Sequence, residues 1–134
     1  MVSLVVVLVR KVYVRGKSLT FTIPEWLYVP ELMYVYADRL YLIYSPVKGL
    51  EADFDVRVLG EVRRGTLKYV TKSGAVKKLY VLTIPSRAGI LVKERSSVIV
   101  TDAEIYQTRS YIVFTNMKAI EEFVRSSVLT SQKR

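Results

Sequence analysis

The tripeptide Thr-Ile-Pro occurs twice, at Thr22-Ile23-Pro24 and Thr83-Ile84-Pro85, and it restricts the possible folds more than any other feature of the chain. Proline has no amide proton for a sheet ladder, so each copy should close a strand and turn the chain away. A basic, glycine-containing turn comes before each copy, Arg15-Gly16-Lys17 in one case and Lys72-Ser73-Gly74 in the other. After each comes a short link, then a β-rich run with a central aspartate, Asp38 or Asp102. The pattern predicts a duplicated small β-module, a mainly β fold built as a pseudo-twofold barrel or sandwich.

The 134 residues suffice for one compact domain or two closely packed halves. The expected division is a first β half over 1–48, a second over 49–115, and a C-terminal helix and tail over 116–134. Val2–Val9 is the most apolar run, and its β-branched residues predict a central strand buried on both faces. It is too short to span a bilayer and has neither the basic region nor the cleavage site of a signal peptide. The strand is expected to run on through Val12 and Val14 to a turn at Gly16, with Ser18–Ile23 returning as its hairpin partner.

Pro24 is placed to open one helical turn, docking Trp26 and Leu27 on the core. Leu32–Tyr36 and Arg39–Tyr44 read as strands joined at Ala37-Asp38, with Tyr34, Tyr36, Tyr41 and Tyr44 as half-buried cross-strand residues. Ser45-Pro46-Val47-Lys48-Gly49 is the clearest chain breaker. Beyond it, Asp55–Val62 predicts a strand, Arg63-Arg64-Gly65 a turn, Thr66–Thr71 a return strand, and Lys77–Ile84 a further one. Gly89 is the expected cap of a short helical turn. Val98–Thr101 and Ser110–Phe114 read as strands with Asp102–Arg109 as a longer connection. Met117, Ile120, Phe123, Val124 and Val128 fall at helical spacing, with Asn116 or Thr115 as the cap and Ser131–Arg134 frayed.

The chain has no cysteine and no histidine. That removes disulfides, zinc sites of the usual ligand set, thiol nucleophiles and histidine-based triads. Asp53 and Asp55 could present two carboxylates for a divalent cation or acid–base work, but a polar junction between the halves explains them more simply. No phosphate loop or nucleophile elbow is present. The expectation is a non-enzyme with no cofactor and no small-molecule substrate. One asparagine and two glutamines in the whole chain fit a hot-environment source.

The net charge of +9 favours an anionic partner. From Arg10 to Lys17 there are four basic residues and no acid, and from Arg57 to Arg87 there are eight against Glu61. The positive charge thus collects ahead of each Thr-Ile-Pro, where the turns lie. Lysine and arginine also protect exposed strand edges, which is the bland explanation of the same pattern.

Arg10-Lys11-Val12, Gly16, Ile23-Pro24-Glu25-Trp26-Leu27 and Leu32–Ile43 together resemble the AbrB-like (SpoVT/AbrB) swapped-hairpin family. The second copy is similar at Gly74, Leu82–Arg87, Gly89-Ile90, Val98–Asp102 and Tyr111–Phe114. Together the copies cover about two thirds of the chain. The link after Pro24 is shorter than the family's, and the second copy carries extra residues around Lys72–Lys78 and between Asp102 and Ser110. The resemblance implies a cytoplasmic protein that binds double-stranded DNA, as a transcription regulator or as the DNA-binding part of an antitoxin. It implies contacts through Arg10, Lys11, Arg15 and Lys17, and more loosely through Lys72, Lys77 and Lys78. Charge alone adds Arg63 and Arg64 to these candidates. The family dimerises by interleaving hairpins, so two copies in one chain imply a single-chain version, still compatible with a homodimer. The competing expectation is a protein-interaction or structural module that uses the C-terminal helix and the Tyr-rich hairpin as its contact surface.

Overall fold

The structure is a computed structural model that describes residues 4–88 and 92–132. Among the described residues ten strands form two sheets and one helix follows them at the C-terminal end, so the fold is mainly β as expected. In chain order the strands are β1 (Leu4–Lys11), β2 (Tyr13–Arg15), β3 (Ser18–Pro24), β4 (Leu32–Ala37) and β5 (Tyr41–Ser45). There follow β6 (Arg57–Arg63), β7 (Gly65–Val70), β8 (Val76–Ile84), β9 (Ser97–Ile105), β10 (Thr108–Phe114) and helix α1 (Met117–Gln132). The six-stranded sheet runs β1-β9-β10-β5-β4-β6 and the four-stranded sheet runs β2-β3-β8-β7. All pairings are antiparallel. If β1–β5 are exchanged with β6–β10, each sheet keeps the same strand order, read from its other edge.

The two sheets are joined at two corners, each a single residue. Val12 separates β1, in the six-stranded sheet, from β2, in the four-stranded one, and Arg64 separates β6 from β7 in the same way. Arg63-Arg64-Gly65 is therefore a crossing between sheets and not the hairpin turn that its composition predicts. Both corners are held by the backbone. Val12 N–H donates to the Ser96 carbonyl at 2.8 Å, and Arg64 N–H donates to the Glu31 carbonyl at 3.0 Å.

The core lies between the sheets. Phe21, Ile23, Leu82 and Ile84 from the four-stranded layer meet Met33, Val35, Leu42, Tyr44, Val98, Val100, Tyr111 and Val113 from the six-stranded one. The other face of the six-stranded sheet is covered by α1. Ala119, Ile120 and Phe123 pack there beside Tyr36, Ile43, Ile112 and Phe114. Asn116 caps the helix, its side-chain oxygen accepting from Ala119 N–H at 2.9 Å, as the sequence allowed. Ser131 and Gln132 are helical, so the helix outruns its expected end; Lys133 and Arg134 lie outside the described residues.

Four other expectations change. The Val-rich β1 is an edge strand with Val7 and Val9 exposed, where burial on both faces was expected. β-Branched runs suit any pleated surface, so composition could not tell edge from centre. Val2 and Ser3, like Gly89, lie outside the described residues. Trp26 is 65% exposed, and Leu27 alone of the pair reaches the core, through a single turn closed by Leu27 N–H on the Pro24 carbonyl. Asp102–Arg109 is no long connection: β9 and β10 extend to Ile105 and Thr108 around the two-residue turn Tyr106-Gln107. Tyr36 and Tyr44 are fully buried rather than half-buried.

Candidate nucleic-acid interface

The four-stranded sheet is where the positive charge gathers. Residues 13–24 and 65–84, which make up its strands and two hairpin turns, contain Arg15, Lys17, Lys68, Lys72, Lys77 and Lys78 and not one acidic residue. All twelve aspartates and glutamates of the chain lie elsewhere. Tyr13, Val14, Tyr69, Val70 and Val76 add exposed apolar surface between these cations.

Two hairpins carry the charge. In the first, β2 and β3 pair at Arg15 and Ser18 around Gly16-Lys17. Gly16 takes φ of 60°, a left-handed conformation that costs glycine nothing and permits so tight a turn. In the second, β7 and β8 close at Val70 and Val76 around Thr71–Ala75, where Thr71 N–H donates to the Ala75 carbonyl at 2.9 Å. Lys68 stands directly opposite Lys78 on this hairpin, and Lys77 opposite Tyr69. Like charges facing across a ladder destabilise it. Blunting an edge against aggregation needs one such residue, not a facing pair, so this hairpin is built at some cost to its own stability.

The nine cations picked out by sequence do not all have the same freedom. Arg10 is tied down, its Nε donating to the Thr22 carbonyl at 2.8 Å and its Nη2 to the Thr22 hydroxyl. Arg64 donates to the Val29 carbonyl, with its guanidinium 4.7 Å from the Tyr80 ring centre. Lys78 sits over the same ring at 5.1 Å, and Lys11 lies 5.9 Å from the Tyr13 ring centre. Arg63 pairs with Glu31 at 3.6 Å on the surface. Among the described residues, no hydrogen bond or ion pair engages the side chains of Arg15, Lys17, Lys72 or Lys77. These four are thus available to an outside anion, while Arg10 and Arg64 brace the corners.

Lys68, Tyr13 and Tyr69 belong to this surface and were not singled out as site residues by the sequence. Their signal was the acid-free runs 13–24 and 65–84, which become meaningful once their four strands are known to form one sheet.

The two junction carboxylates, Asp53 and Asp55, have different surroundings. Asp53 follows a one-turn 3-10 helix (Leu50–Ala52) and accepts from the Tyr106 hydroxyl. Asp55 lines a shallow surface hollow with Asp38, Arg39 and Arg57. Among the described residues no group of three or more potential ligands could hold a metal ion.

No protein-family model, no curated protein and no solved structure matches the chain.

Proposed function

We propose that the protein binds double-stranded DNA, as a cytoplasmic regulator of transcription, through the acid-free four-stranded sheet and its two basic hairpins. The proposal includes the likeness to the AbrB-like family. The observation that carries it is the segregation of charge: six cations and no anion on one sheet of a protein whose twelve acids all lie elsewhere. Phosphate neutralisation by such a surface supplies most of the affinity of a sequence-tolerant DNA contact. Arg15, Lys17, Lys72 and Lys77 are the primary contacts, with Lys68 and Lys78 beside them and Lys11 and Arg63 at the flanks. Arg10 and Arg64 act by holding the corners from which the hairpins project. The reading is of a binding protein and not an enzyme.

The interaction-module alternative has less surface to work with. Tyr36 and Tyr44 of its hairpin are buried, and Ile120 and Phe123 of its helix pack on the core.

Fluorescence anisotropy with a labelled mixed-sequence duplex, titrated at several salt concentrations, tests the proposal. With about 4–6 phosphates neutralised, log K should fall with log salt at a slope of roughly −4 to −5. Arg15→Glu with Lys17→Glu, checked for folding by circular dichroism, should weaken binding and flatten the slope. A wild-type protein that fails to bind duplex even at low salt would refute the proposal.

A further inference from the structure

We infer that one chain does the work of a symmetric dimer, setting the Arg15-Gly16-Lys17 arm and the Thr71–Ala75 arm on a single duplex about one helical turn apart. The inference rests on the duplex-binding reading above. Its support is the register of the strands.

In the four-stranded sheet Phe21 faces Leu82 across the central β3–β8 pair. If the two residues correspond, Thr22-Ile23-Pro24 falls on Thr83-Ile84-Pro85 and Thr20 on Val81. Thr20 faces Tyr13 and Val81 faces Gly65, so Tyr13 corresponds to Gly65. In the six-stranded sheet the identical residues Ile43 and Ile112 face each other across the central β5–β10 pair. With that pair as the centre, Tyr44 corresponds to Val113. Their partners Val35 and Val100 then correspond, and so do Met33 and Val98, all four of them core residues. Val98 faces Arg10 and Met33 faces Val62, so Arg10 corresponds to Val62.

The two routes through different sheets therefore meet on one continuous strand with the same spacing, Arg10 to Tyr13 against Val62 to Gly65. The corners Val12 and Arg64 coincide in this alignment. So do their hydrogen bonds, since Ser96 and Glu31 both stand immediately before the matched strands β9 and β4. A chance likeness of strand order would not close in register around both sheets. The arrangement is that of two copies of one module interleaved about a twofold axis through the centres of both sheets.

That axis places the two arms at opposite ends of the four-stranded sheet. Leu19 faces Ile84 near the first arm, and β8 begins at Val76 beside the second. About twelve residues of strand separate the tips, roughly 40 Å at full extension and less with twist. One turn of B-DNA is about 34–36 Å, the separation at which a twofold reader meets the same groove again. The arms are not equal, because the second is longer and has the facing Lys68–Lys78 pair. The chain is thereby fitted to an asymmetric duplex site with two unlike halves.

The test uses the intact chain and a labelled mixed-sequence duplex of about 16 bp, roughly 54 Å long at about 3.4 Å per step. Three proteins are titrated across a salt series: wild type, Arg15→Glu with Lys17→Glu, and Lys72→Glu with Lys77→Glu. Analytical ultracentrifugation gives the stoichiometry of the wild-type complex. One chain per duplex is expected, and each double reversal should lower the salt slope by about 2 and weaken binding at least tenfold at low salt. If either reversal unfolds the protein, the neutral pair Lys72→Gln with Lys77→Gln, or Arg15→Gln with Lys17→Gln, reads the same loss at smaller size. Two chains per duplex, or an intact slope after either arm is reversed, would overturn the single-chain arrangement and leave DNA binding standing. Wild type without affinity for duplex overturns both.

Discussion

The Tyr44 hydroxyl donates to the backbone carbonyl of Thr83 at 2.8 Å, joining the centre of the six-stranded sheet to the second Thr-Ile-Pro strand of the four-stranded one. Tyr44 is fully buried, and the Phe21 ring meets it edge-on at 5.5 Å. Burial pushes the Tyr44 hydroxyl far above its ordinary pKa, so it remains a neutral donor at neutral pH. Tyr111, directly opposite Tyr44 in the β5–β10 pair, reaches in the same way to the Tyr28 carbonyl. Burial is the main cause that pushes its pKa up to about 12. Two tyrosines at the middle of one sheet thus clamp it to the opposite layer and to the link after Pro24.

Removing the clamp without changing the shape of the core isolates the hydrogen bond. Tyr44→Phe should destabilise by about 1–2 kcal/mol, the cost of leaving a partly buried carbonyl one donor short. Phe21→Ala, which also opens a cavity, should cost about 3–5 kcal/mol. Urea unfolding of both variants measures this. A Tyr44→Phe protein as stable as the wild type would show that the contact matters only for packing.

The edge position of β1 gives an expectation opposite to the one its composition suggests. Val7, 55% exposed, faces Thr101 from the open edge of the six-stranded sheet, whereas Val100 in the neighbouring β9 is buried. Val7→Lys should change stability by no more than about 0.5 kcal/mol. Val100→Lys, by placing an unpaired charge in the core, should prevent folding. A thermal melt of each variant decides the matter, and a Val7→Lys protein that fails to fold would return β1 to the centre of the structure.

The features that could be read from the chain are those set by local chemistry. Pro24 and Pro85 close strands, Gly16 makes a tight turn, Asn116 caps α1, and the breaker at Ser45–Gly49 separates β5 from the 3-10 turn at Leu50, all as the residues predicted. The features that could not be read depend on tertiary placement. Arg64 looks like a turn residue but is a corner, since only the strand pairings show that β6 and β7 part company there. Gln107 and Tyr106 hide a two-residue turn because neither is a usual left-handed residue. For the candidate interface, the basic turns were legible, but the acid-free sheet became a surface only when β3 and β8 were seen to pair. Arg10 could not be told apart from Arg15 by sequence, and its bonds to Thr22 are what separate a brace from a contact.

The β9–β10 turn offers a stabilising change. Tyr106 and Gln107 hold φ of 51° and 61°, the left-handed pair that a two-residue hairpin of this kind demands. A side chain in that region costs roughly 1–2 kcal/mol. Glycine relieves the strain and gives back part of the gain through the freedom of the unfolded chain. Gln107→Gly should therefore stabilise by about 0.5–1 kcal/mol, with Tyr106 and its bond to Asp53 untouched. A lower melting temperature for Gln107→Gly would count against the turn geometry.

Asp102, on β9, has its carboxyl pKa raised by burial, and its balance with Arg109 makes stability depend on pH. Burial raises its carboxyl above the usual range; Arg109, whose Nε lies 3.5 Å from Oδ1, opposes that rise, and Glu104 adds to it. A folded-state pKa above the unfolded one means the folded protein holds the proton more tightly. The contribution of Asp102 is then full below the ordinary carboxylate pKa and declines as pH climbs through the raised value. Arg109→Met keeps most of the side-chain stem but removes the opposing charge, so the raised value climbs further and the loss at neutral pH grows. Because Arg109 is half exposed, water screens the pair and the expected cost at neutral pH is only about 1 kcal/mol. At about pH 3 the carboxyl is protonated in both proteins, and their stabilities should converge. In an Asp102→Asn background, Arg109→Met should make a difference that no longer depends on pH. Chemical denaturation of the wild type, Arg109→Met, Asp102→Asn and the double variant at about pH 3, 5 and 7 is the measurement. A gap between wild type and Arg109→Met that stays constant across that range would mean that Arg109 contributes packing alone.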